Sequence, residues 1–135
     1  MEPVLLDTDT LSEIMKAHDP HVRDNARQYL TTFGYFTFSL ITRYEILRGL
    51  KARHATRQIV RFEQRCQHSA VLPVTDAIIV RAADLYALLY QQGQLISDAD
   101  ILIAATALQH NLIMVTENGA HFRRIPNLTV ESWRA

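Results

Sequence analysis

The sequence predicts an α/β fold in three layers, with a central parallel sheet of four to five strands and helices on both faces. Two observations predict it: short apolar or aromatic runs alternate with stretches of helical periodicity, and no break in composition divides the chain. Such alternation requires crossover connections, which set parallel strands side by side beneath helices. With 135 residues, 48% of them apolar, the chain suffices for one core, so we expect a single domain over residues 1–135.

The first element is a strand, the apolar run at residues 4–6. A helix follows, because Thr10 and Glu13 form the capping-box pattern that starts helices, and we expect it to begin near Thr10. Asp19-Pro20 then predicts the start of a second, mostly polar helix.

The aromatic run at residues 35–38 is typical of a strand. Ser39 caps a helix that we expect to extend to Gly49. A further helix spans roughly residues 54–68. Together these segments form the second strand and the third and fourth helices.

The run at residues 70–74 predicts a third strand, and Pro73 within it indicates a sheet edge or a strand end. Thr75 or Asp76 caps the next helix, which Gly93 ends. Its apolar positions recur at helical spacing and predict the buried face: Ile79, Ala83, Tyr86, Leu89 and Tyr90.

Ser97 opens a helix whose segment 101–108 is apolar on nearly every side, so we expect this helix to be central. Residues 112–115 predict the fourth strand, and residues 128–130 a fifth.

Composition excludes several classes of protein. The single Cys66 excludes an intramolecular disulfide framework and a Cys-based zinc knuckle. No apolar run approaches the roughly 20 residues of a membrane span. Met1-Glu2-Pro3 lacks the positive start of a signal peptide. We therefore expect a cytoplasmic protein that does not associate with membranes.

The net charge of zero conceals a basic segment. Residues 43–65 contain seven Lys or Arg and only two acids. Four of the arginines recur at every fourth position and are expected to line one helix face: Arg53, Arg57, Arg61 and Arg65. Like charges at this spacing repel one another. This pattern favours an anionic partner such as RNA, or acids on another chain, although the protein's own acids can also neutralise the face.

Polar side chains follow predicted strands or open helices beside them at five positions, Asp7, Asp98, Asp100, Glu117 and Asn118, and Glu45 lies about two turns into the helix after the second strand. Because the carboxyl ends of parallel strands share one edge of a sheet, we expect these side chains to converge. Carboxylates without His or Cys suit Mg²⁺ or Mn²⁺. Crowded carboxylates repel one another unless a cation neutralises them. The pattern therefore predicts a divalent metal site.

Each acid also has a purely structural explanation. Asp7 can be turn chemistry ahead of a helix, and Asp100 completes a Ser-x-x-Asp capping pattern. Asp98 interacts favourably with a helix N-terminus, and Glu45 can pair with Arg48. Spacing alone leaves these explanations open.

Four segments match, in order, the motifs of a known family. They are LLDTD at 5–9, SLITRYEILRGL at 39–50, ISDADILIAATA at 96–107, and VTEN at 115–118 followed by HFRRIP at 121–126 and Trp133. On these segments the chain resembles the PIN-domain ribonucleases, in particular the VapC toxins of bacterial toxin–antitoxin pairs, over nearly all of its length.

The resemblance implies a PIN-like fold and assigns roles to residues. Asp7 and Asp100 are the implied principal Mg²⁺ ligands, with Mn²⁺ as a substitute. Glu45 completes the catalytic set as a ligand or a water-orienting carboxylate. The implied reaction is hydrolysis of an RNA phosphodiester by metal-activated water, with Arg43 or Arg48 steadying the RNA backbone.

Further positions are candidates with open roles. Asp98 neighbours Asp100, but the family's acid directly precedes the apolar run. Asp9 stands where many relatives carry Asn or Ser, and either adds charge or caps the helix. Asn118 replaces a fourth Asp of many relatives, and Glu117 beside it can substitute. The number of metal ions is thus open between one and two.

The resemblance also implies partners. A homodimer is expected, together with a cognate VapB-like antitoxin that forms a larger complex with it. The antitoxin would occupy the groove between the early helices and present a basic side chain to the acids.

Two alternative functions also fit the sequence. Asp7-Thr8-Asp9-Thr10 also fits the Asp-x-Asp-x-Thr of haloacid-dehalogenase-like phosphatases, in which the first Asp is the nucleophile and the second a general acid. That family needs a downstream Lys, and this chain has only Lys16 and Lys51. The other alternative, supported by Asn118, is a PIN-like module that binds RNA or protein without cutting.

Overall fold

Five short strands form one parallel sheet, as the sequence predicts. The computed structural model describes residues 1–134. Within them the strands lie in the order β3-β2-β1-β4-β5 and are all parallel. They are β1 (Val4–Leu6), β2 (Thr37–Ser39), β3 (Ala70–Leu72), β4 (Ile113–Val115) and β5 (Val130–Glu131).

Seven helices connect or follow the strands in the described part of the chain. They are α1 (Thr8–Lys16), α2 (Pro20–Phe33), α3 (Leu40–Ala52), α4 (Thr56–Gln67), α5 (Asp76–Gln91), α6 (Asp98–Gln109) and the short α7 (Gly119–Phe122). The short α7 was not predicted. In residues 1–134, none of the helices is both long and apolar enough to cross a bilayer.

The sheet is buried on both faces. Leu5 and Met114 belong to the core beneath α5 and α6, whereas Val4, Leu6 and Val115 belong to the core beneath α1 to α4. Successive side chains of a strand point to opposite faces, so each short apolar strand contributes side chains to the cores on both sides of the sheet. This arrangement confirms the predicted three-layer α/β fold.

The chain reverses its direction of travel across the sheet at β1. From β1 it proceeds through β2 to the edge strand β3, and then returns past β1 to β4 and β5. Ligands of open α/β sheets bind at such a reversal, outside the carboxyl ends of the strands. Pro73 follows the edge strand β3, which confirms the edge position that the proline indicates.

Side-chain caps fix where most of the long helices begin. Asp19, Ser39, Thr75 and Ser97 each accept a backbone N–H from the first turn of their helix, as predicted. The expected start of α1 is wrong: the helix begins at Thr8, and Asp7 is its cap. An Asp directly after a strand can accept the third N–H of the turn.

Helix α5 buries a different face from the predicted one. Its buried residues are Ile78, Ala82, Leu85 and Leu89. Of the predicted face only Leu89 is buried, while Ile79, Tyr86 and Tyr90 expose 48%, 44% and 64% of their surface. The helix has two adjacent apolar faces, and periodicity does not distinguish the face that packs on α6 from the exposed one.

The predicted arginine stripe is divided between two helices. Helix α4 begins at Thr56, so Arg53 is the C-cap of α3. On α4 itself, Arg65 lies with its guanidinium 5.3 Å from the centre of the Phe36 ring. The strand predictions at 35–38 and 128–130 are each displaced by one or two residues from β2 and β5.

Candidate active site

Asp7 lies at the centre of the carboxyl edge of the sheet. Its side chain is 4% exposed, and its backbone N–H bonds to the carbonyl of Val115 at 3.0 Å. Oδ1 accepts the N–H of Thr10 at 2.8 Å, and Oδ2 accepts the hydroxyl of Thr116. Burial raises the pKa of Asp7 to about 6, even though these hydrogen bonds lower it. Hydrogen bonds therefore fix the orientation of the Asp7 side chain, and burial disfavours its ionised form.

Thr116 is a site residue to which the sequence assigned no role. It is 1% exposed, follows β4 directly, and donates to Asp7 across the two central strands. The same hydroxyl oxygen accepts the backbone N–H of Asn118 at 2.9 Å. The only sequence signal was a hydroxyl side chain at the end of a predicted strand.

Glu45 reaches the same edge from the middle of α3. Its Oε1 accepts the hydroxyl of Thr8 at 2.6 Å, and that hydroxyl lies 3.1 Å from the hydroxyl of Thr42. Arg48 Nη2 is 3.6 Å from Glu45 Oε2, so the predicted ion pair exists as well. Thr8, also missed by sequence reasoning, therefore joins the start of α1 to the acid on α3.

Asp100 lies in the first turn of α6, on the other helical layer. Burial raises its pKa, a hydrogen bond from Ser97 lowers it, and the charge of Glu45 raises it again. Weaker effects on the same pKa come from His121, which lowers it, and Asp9, which raises it. The acids of both layers thus lie close enough to sense one another's charge.

Asp9 is exposed on the first turn of α1. Its charge also raises the pKa of Asp7. Asp9 therefore adds negative charge beside the site and is not the cap of α1.

Asn118 lies beside this group and is half-buried. Its side-chain amide nitrogen is 2.7 Å from Nδ1 of His121. When Nδ1 of His121 accepts from this amide nitrogen, the amide oxygen of Asn118 takes no part in the contact. His121, which lies in a family motif of the sequence but was assigned no role there, is a further residue of this edge.

Three predicted site residues lie elsewhere or are engaged by other groups. Asp98 is exposed on α6. Glu117 accepts the hydroxyl of Ser132 at 2.8 Å and the N–H of Trp133 at 3.3 Å, so it binds the C-terminal segment. Arg43 pairs with Glu63, which raises the pKa of the arginine and lowers that of the glutamate.

The donor chemistry fits a hard divalent cation. Asp7 and Asp100 are carboxylates whose pKa values are raised by burial, and the neighbouring charges of Asp9 and Glu45 add to the effect. A divalent cation would relieve that cost. Within residues 1–134, however, no three acidic, His or Cys side chains are already arranged as a set of ligands.

A groove of about 600 Å³ opens next to Thr8 and Glu45. It runs between α1 and α3 to the start of α4, with the apolar side chains of Met15, Ile46 and Leu50 in its wall. Its basic lining consists of Lys16, Arg53 and Arg61. The groove lies between the early helices, where the resemblance places an antitoxin, and Glu45 is among its lining residues.

Comparison with known proteins places the chain in a family. A sequence profile of the PIN domain matches residues 4–128. Ribonuclease VapC1 of Methanocaldococcus jannaschii is 29% identical over 122 residues, which are 90% of this chain and 80% of that protein. The tRNA(fMet)-specific endonuclease VapC of Salmonella typhimurium is 28% identical over 130 residues, 96% of each chain.

Solved structures agree with this result. A crystal structure of DNA-bound VapBC from Salmonella typhimurium contains a chain that superposes with a TM-score of 0.86. The two chains are 26% identical, and the match covers 98% of this chain and 99% of that one. With its parallel sheet, its acids at the strand reversal and this profile match, the chain belongs to the PIN-domain family and is VapC-like within it.

Proposed function

We propose that this protein is a metal-dependent endoribonuclease that acts as the toxin of a VapBC-type toxin–antitoxin pair. The observation that carries the proposal is the group of acids at the strand reversal, where burial raises the pKa values of Asp7 and Asp100 and neighbouring acids add to the effect. Without a cation, ionisation of these crowded acids destabilises the fold. With a divalent cation bound, the same acids can serve in catalysis. The names of the relatives, ribonuclease and endonuclease, support the same activity.

Asp7 and Asp100 would hold Mg²⁺ or Mn²⁺, and Glu45 would complete the set as a ligand or by orienting the attacking water. When bound, such an ion polarises a phosphoryl oxygen and lowers the pKa of water. Thr116 and Thr10 fix the orientation of the Asp7 carboxylate, as the outer hydrogen-bond partners of metal ligands do.

Arg48 is the better of the two predicted RNA-binding arginines. Its side chain is 59% exposed, and its guanidinium lies 5.1 Å from the centre of the exposed Tyr44 ring. Arg43 is already engaged by Glu63 and Cys66, so its charge serves the contact between α3 and α4. We propose that Arg48 binds RNA phosphate beside Glu45.

We propose a VapB-like antitoxin as the occupant of the groove between α1 and α3. Apolar wall residues and three basic residues suit an amphipathic segment with acidic side chains. A basic side chain of the antitoxin would reach Glu45 at the end of the groove. Known structures support this proposal, because the chain is similar to a chain in each of two solved VapBC complexes.

A homodimer is also proposed. Helix α5 exposes Ile79, Tyr86 and Tyr90, with the two tyrosine rings stacked 6.1 Å apart. Exposed aromatic surface of this kind is typical of interfaces. Sedimentation of the antitoxin-free protein would measure the oligomeric state, and a monomer at micromolar concentration would contradict the proposal.

The decisive test is RNA cleavage by the antitoxin-free protein. Total RNA and a tRNA fraction are incubated in Mn²⁺ or Mg²⁺ with wild type, Asp100→Asn and Asp84→Asn, the last an exposed acid on α5. We expect discrete fragments from wild type and Asp84→Asn only, and none in EDTA. Cleavage that persists in EDTA would contradict the metal dependence.

The same assay distinguishes the alternatives. Metal-independent RNA binding without any cleavage would favour the non-cleaving module, which Asn118 in place of a fourth acid supports. The phosphatase alternative is not proposed, because the PIN profile covers the Asp7 to Thr10 segment on which it rested.

A further inference from the structure

Glu117 is the one predicted site acid whose carboxylate is bound by the C-terminal segment. Its side chain is 15% exposed, although it lies between two residues of the active-site edge. It receives the hydroxyl of Ser132 and the backbone N–H of Trp133. Nε of Arg134 is 3.8 Å from the same carboxylate. Three consecutive C-terminal residues therefore converge on this one side chain.

The C-terminal segment is itself fixed to the helical layer of α1 and α2. The Trp133 side chain is 3% exposed and its ring lies 5.7 Å from that of Tyr29. The Trp133 carbonyl accepts the side-chain N–H of Asn25 at 3.0 Å. Nη2 of Arg134 is 3.8 Å from Oε2 of Glu13, and Nε of Arg134 is 3.7 Å from Oδ2 of Asp19. Glu117 is thus tied to a rigid support.

The residues on either side of Glu117 belong to the active-site edge. Thr116 donates to Asp7 and accepts the N–H of Asn118. Asn118 contacts His121, whose charge acts on the pKa of Asp100. The Glu117 side chain is held on the C-terminal segment while its two neighbours face the acids.

We propose that Glu117 is a positioning residue of the active site. By binding Ser132 and Trp133 it fixes the turn at 116–118, and thereby holds the Thr116 hydroxyl on Asp7 and the Asn118 amide at the edge of the site. The effect on metal binding rests on the proposed function, whereas the effect on the turn does not. Loss of the carboxylate would leave the Trp133 N–H without its acceptor, remove the bond from Ser132, and free the turn to move.

The test compares Glu117→Ala with Glu117→Gln, whose amide oxygen can accept the N–H of Trp133 while its amide nitrogen donates to the hydroxyl oxygen of Ser132. Glu131→Ala is the matched control, since Glu131 is an exposed glutamate on the neighbouring β5 with no ion pair inside residues 1–134. The first readout is hydrogen exchange of the Asn118 amide in metal-free protein. The second is the Mn²⁺ dissociation constant by calorimetry.

We expect Glu117→Ala to accelerate exchange at Asn118 several-fold while exchange in β1 is unchanged. Its Mn²⁺ affinity should fall by roughly tenfold, the lower end of the effect of removing a group that orients metal ligands. Glu117→Gln and Glu131→Ala should resemble wild type in both readouts. Rescue by the amide would separate positioning from a direct ligand role, in which loss of the charge alone weakens metal binding.

Wild-type exchange and wild-type Mn²⁺ affinity in Glu117→Ala would overturn the proposal. Equal loss of Mn²⁺ affinity in Glu117→Gln and Glu117→Ala would also overturn it, in favour of Glu117 as a ligand. If wild type itself binds no Mn²⁺, the proposed function fails and the exchange readout alone decides on Glu117. Should Glu117→Ala be too unstable to purify, Ser132→Ala removes the 2.8 Å bond to Glu117, together with the contacts of Ser132 to the Arg134 backbone, and allows the same comparison.

Discussion

The hydroxyl of Thr116 donates a hydrogen bond to the buried carboxylate of Asp7 across the two central strands. This bond lowers the pKa of Asp7, and burial has the larger, opposite effect. Thr116 therefore helps decide how readily the principal acid of the site ionises.

Replacing Thr116 by Val should raise the pKa of Asp7 further, because the donor is lost while burial stays. Metal-dependent cleavage should then require a higher pH than in wild type. The measurement is a carboxyl NMR titration of Asp7 together with the pH profile of cleavage. Thr106→Val is the control, since Thr106 is equally buried but bonds only to a helix carbonyl at 2.8 Å. An unchanged Asp7 titration would contradict the prediction.

The contribution of Asp7 to the stability of the metal-free protein should fall as the pH rises from about 4 to 6. Asp7 has a pKa of about 6 in the folded protein and about 3.9 when unfolded. In this window the folded state binds more protons than the unfolded state, so ionisation of Asp7 costs up to about 3 kcal/mol at neutral pH. Asp7→Asn should therefore be more stable than wild type at pH 7.5, and this difference should vanish below about pH 4.

Urea denaturation in EDTA across this pH range measures the effect. Asp24→Asn, an exposed acid on α2, should follow the wild-type curve. Added Mn²⁺ should stabilise wild type and not Asp7→Asn. Parallel pH curves for wild type and Asp7→Asn would rule out a raised pKa at Asp7.

The Thr8 hydroxyl should matter for catalysis more than for folding. Thr8→Val removes the 2.6 Å bond to Glu45 and leaves that carboxylate with its 3.6 Å contact to Arg48. We expect cleavage to fall by about 10- to 100-fold, as when other outer partners of metal-site carboxylates are lost. Thr8→Ser keeps the hydroxyl and should retain activity. Equal rates for the Val and Ser variants would show that the bond has no catalytic role.

Alanine substitution should affect RNA binding at Arg48 but not at Arg43. Arg48→Ala should weaken RNA binding and reduce the slope of its salt dependence by about 1, because one phosphate contact is lost. Arg43→Ala should leave that slope unchanged and cost at most about 1 kcal/mol of stability, since its ion pair with Glu63 is partly exposed. Binding to a catalytically inactive Asp100→Asn background at several salt concentrations provides the measurement.

The order of strands and helices was predictable because capping residues and apolar runs act locally. Asp19, Ser39, Thr75 and Ser97 each cap a helix through their own next turn, which a sequence displays directly. The exposed face of α5 was not predictable. Its two apolar faces have the same periodicity, and only the packing of α6 selects between them.

The positions of Asp7, Glu45 and Asp100 at one edge followed from strand ends and from the motifs of the PIN-domain family. Thr8 and Thr116 were not predictable, since their importance depends on which carboxylate lies opposite each hydroxyl in the folded sheet. The same holds for Glu117, because a glutamate beside a site residue looks like a ligand until the C-terminal segment is placed.

The bond between Asp7 and Thr116 joins residues 109 positions apart. On a translating ribosome, β1 emerges before β4 and cannot pair with it until β4 has been synthesised. At ordinary rates of translation this delay is about 5 to 20 s. During that time a nascent chain has no intact acid edge, and a chain truncated before Thr116 would never form one. The toxic activity proposed for this protein would therefore begin only after β4 and Thr116 have been synthesised.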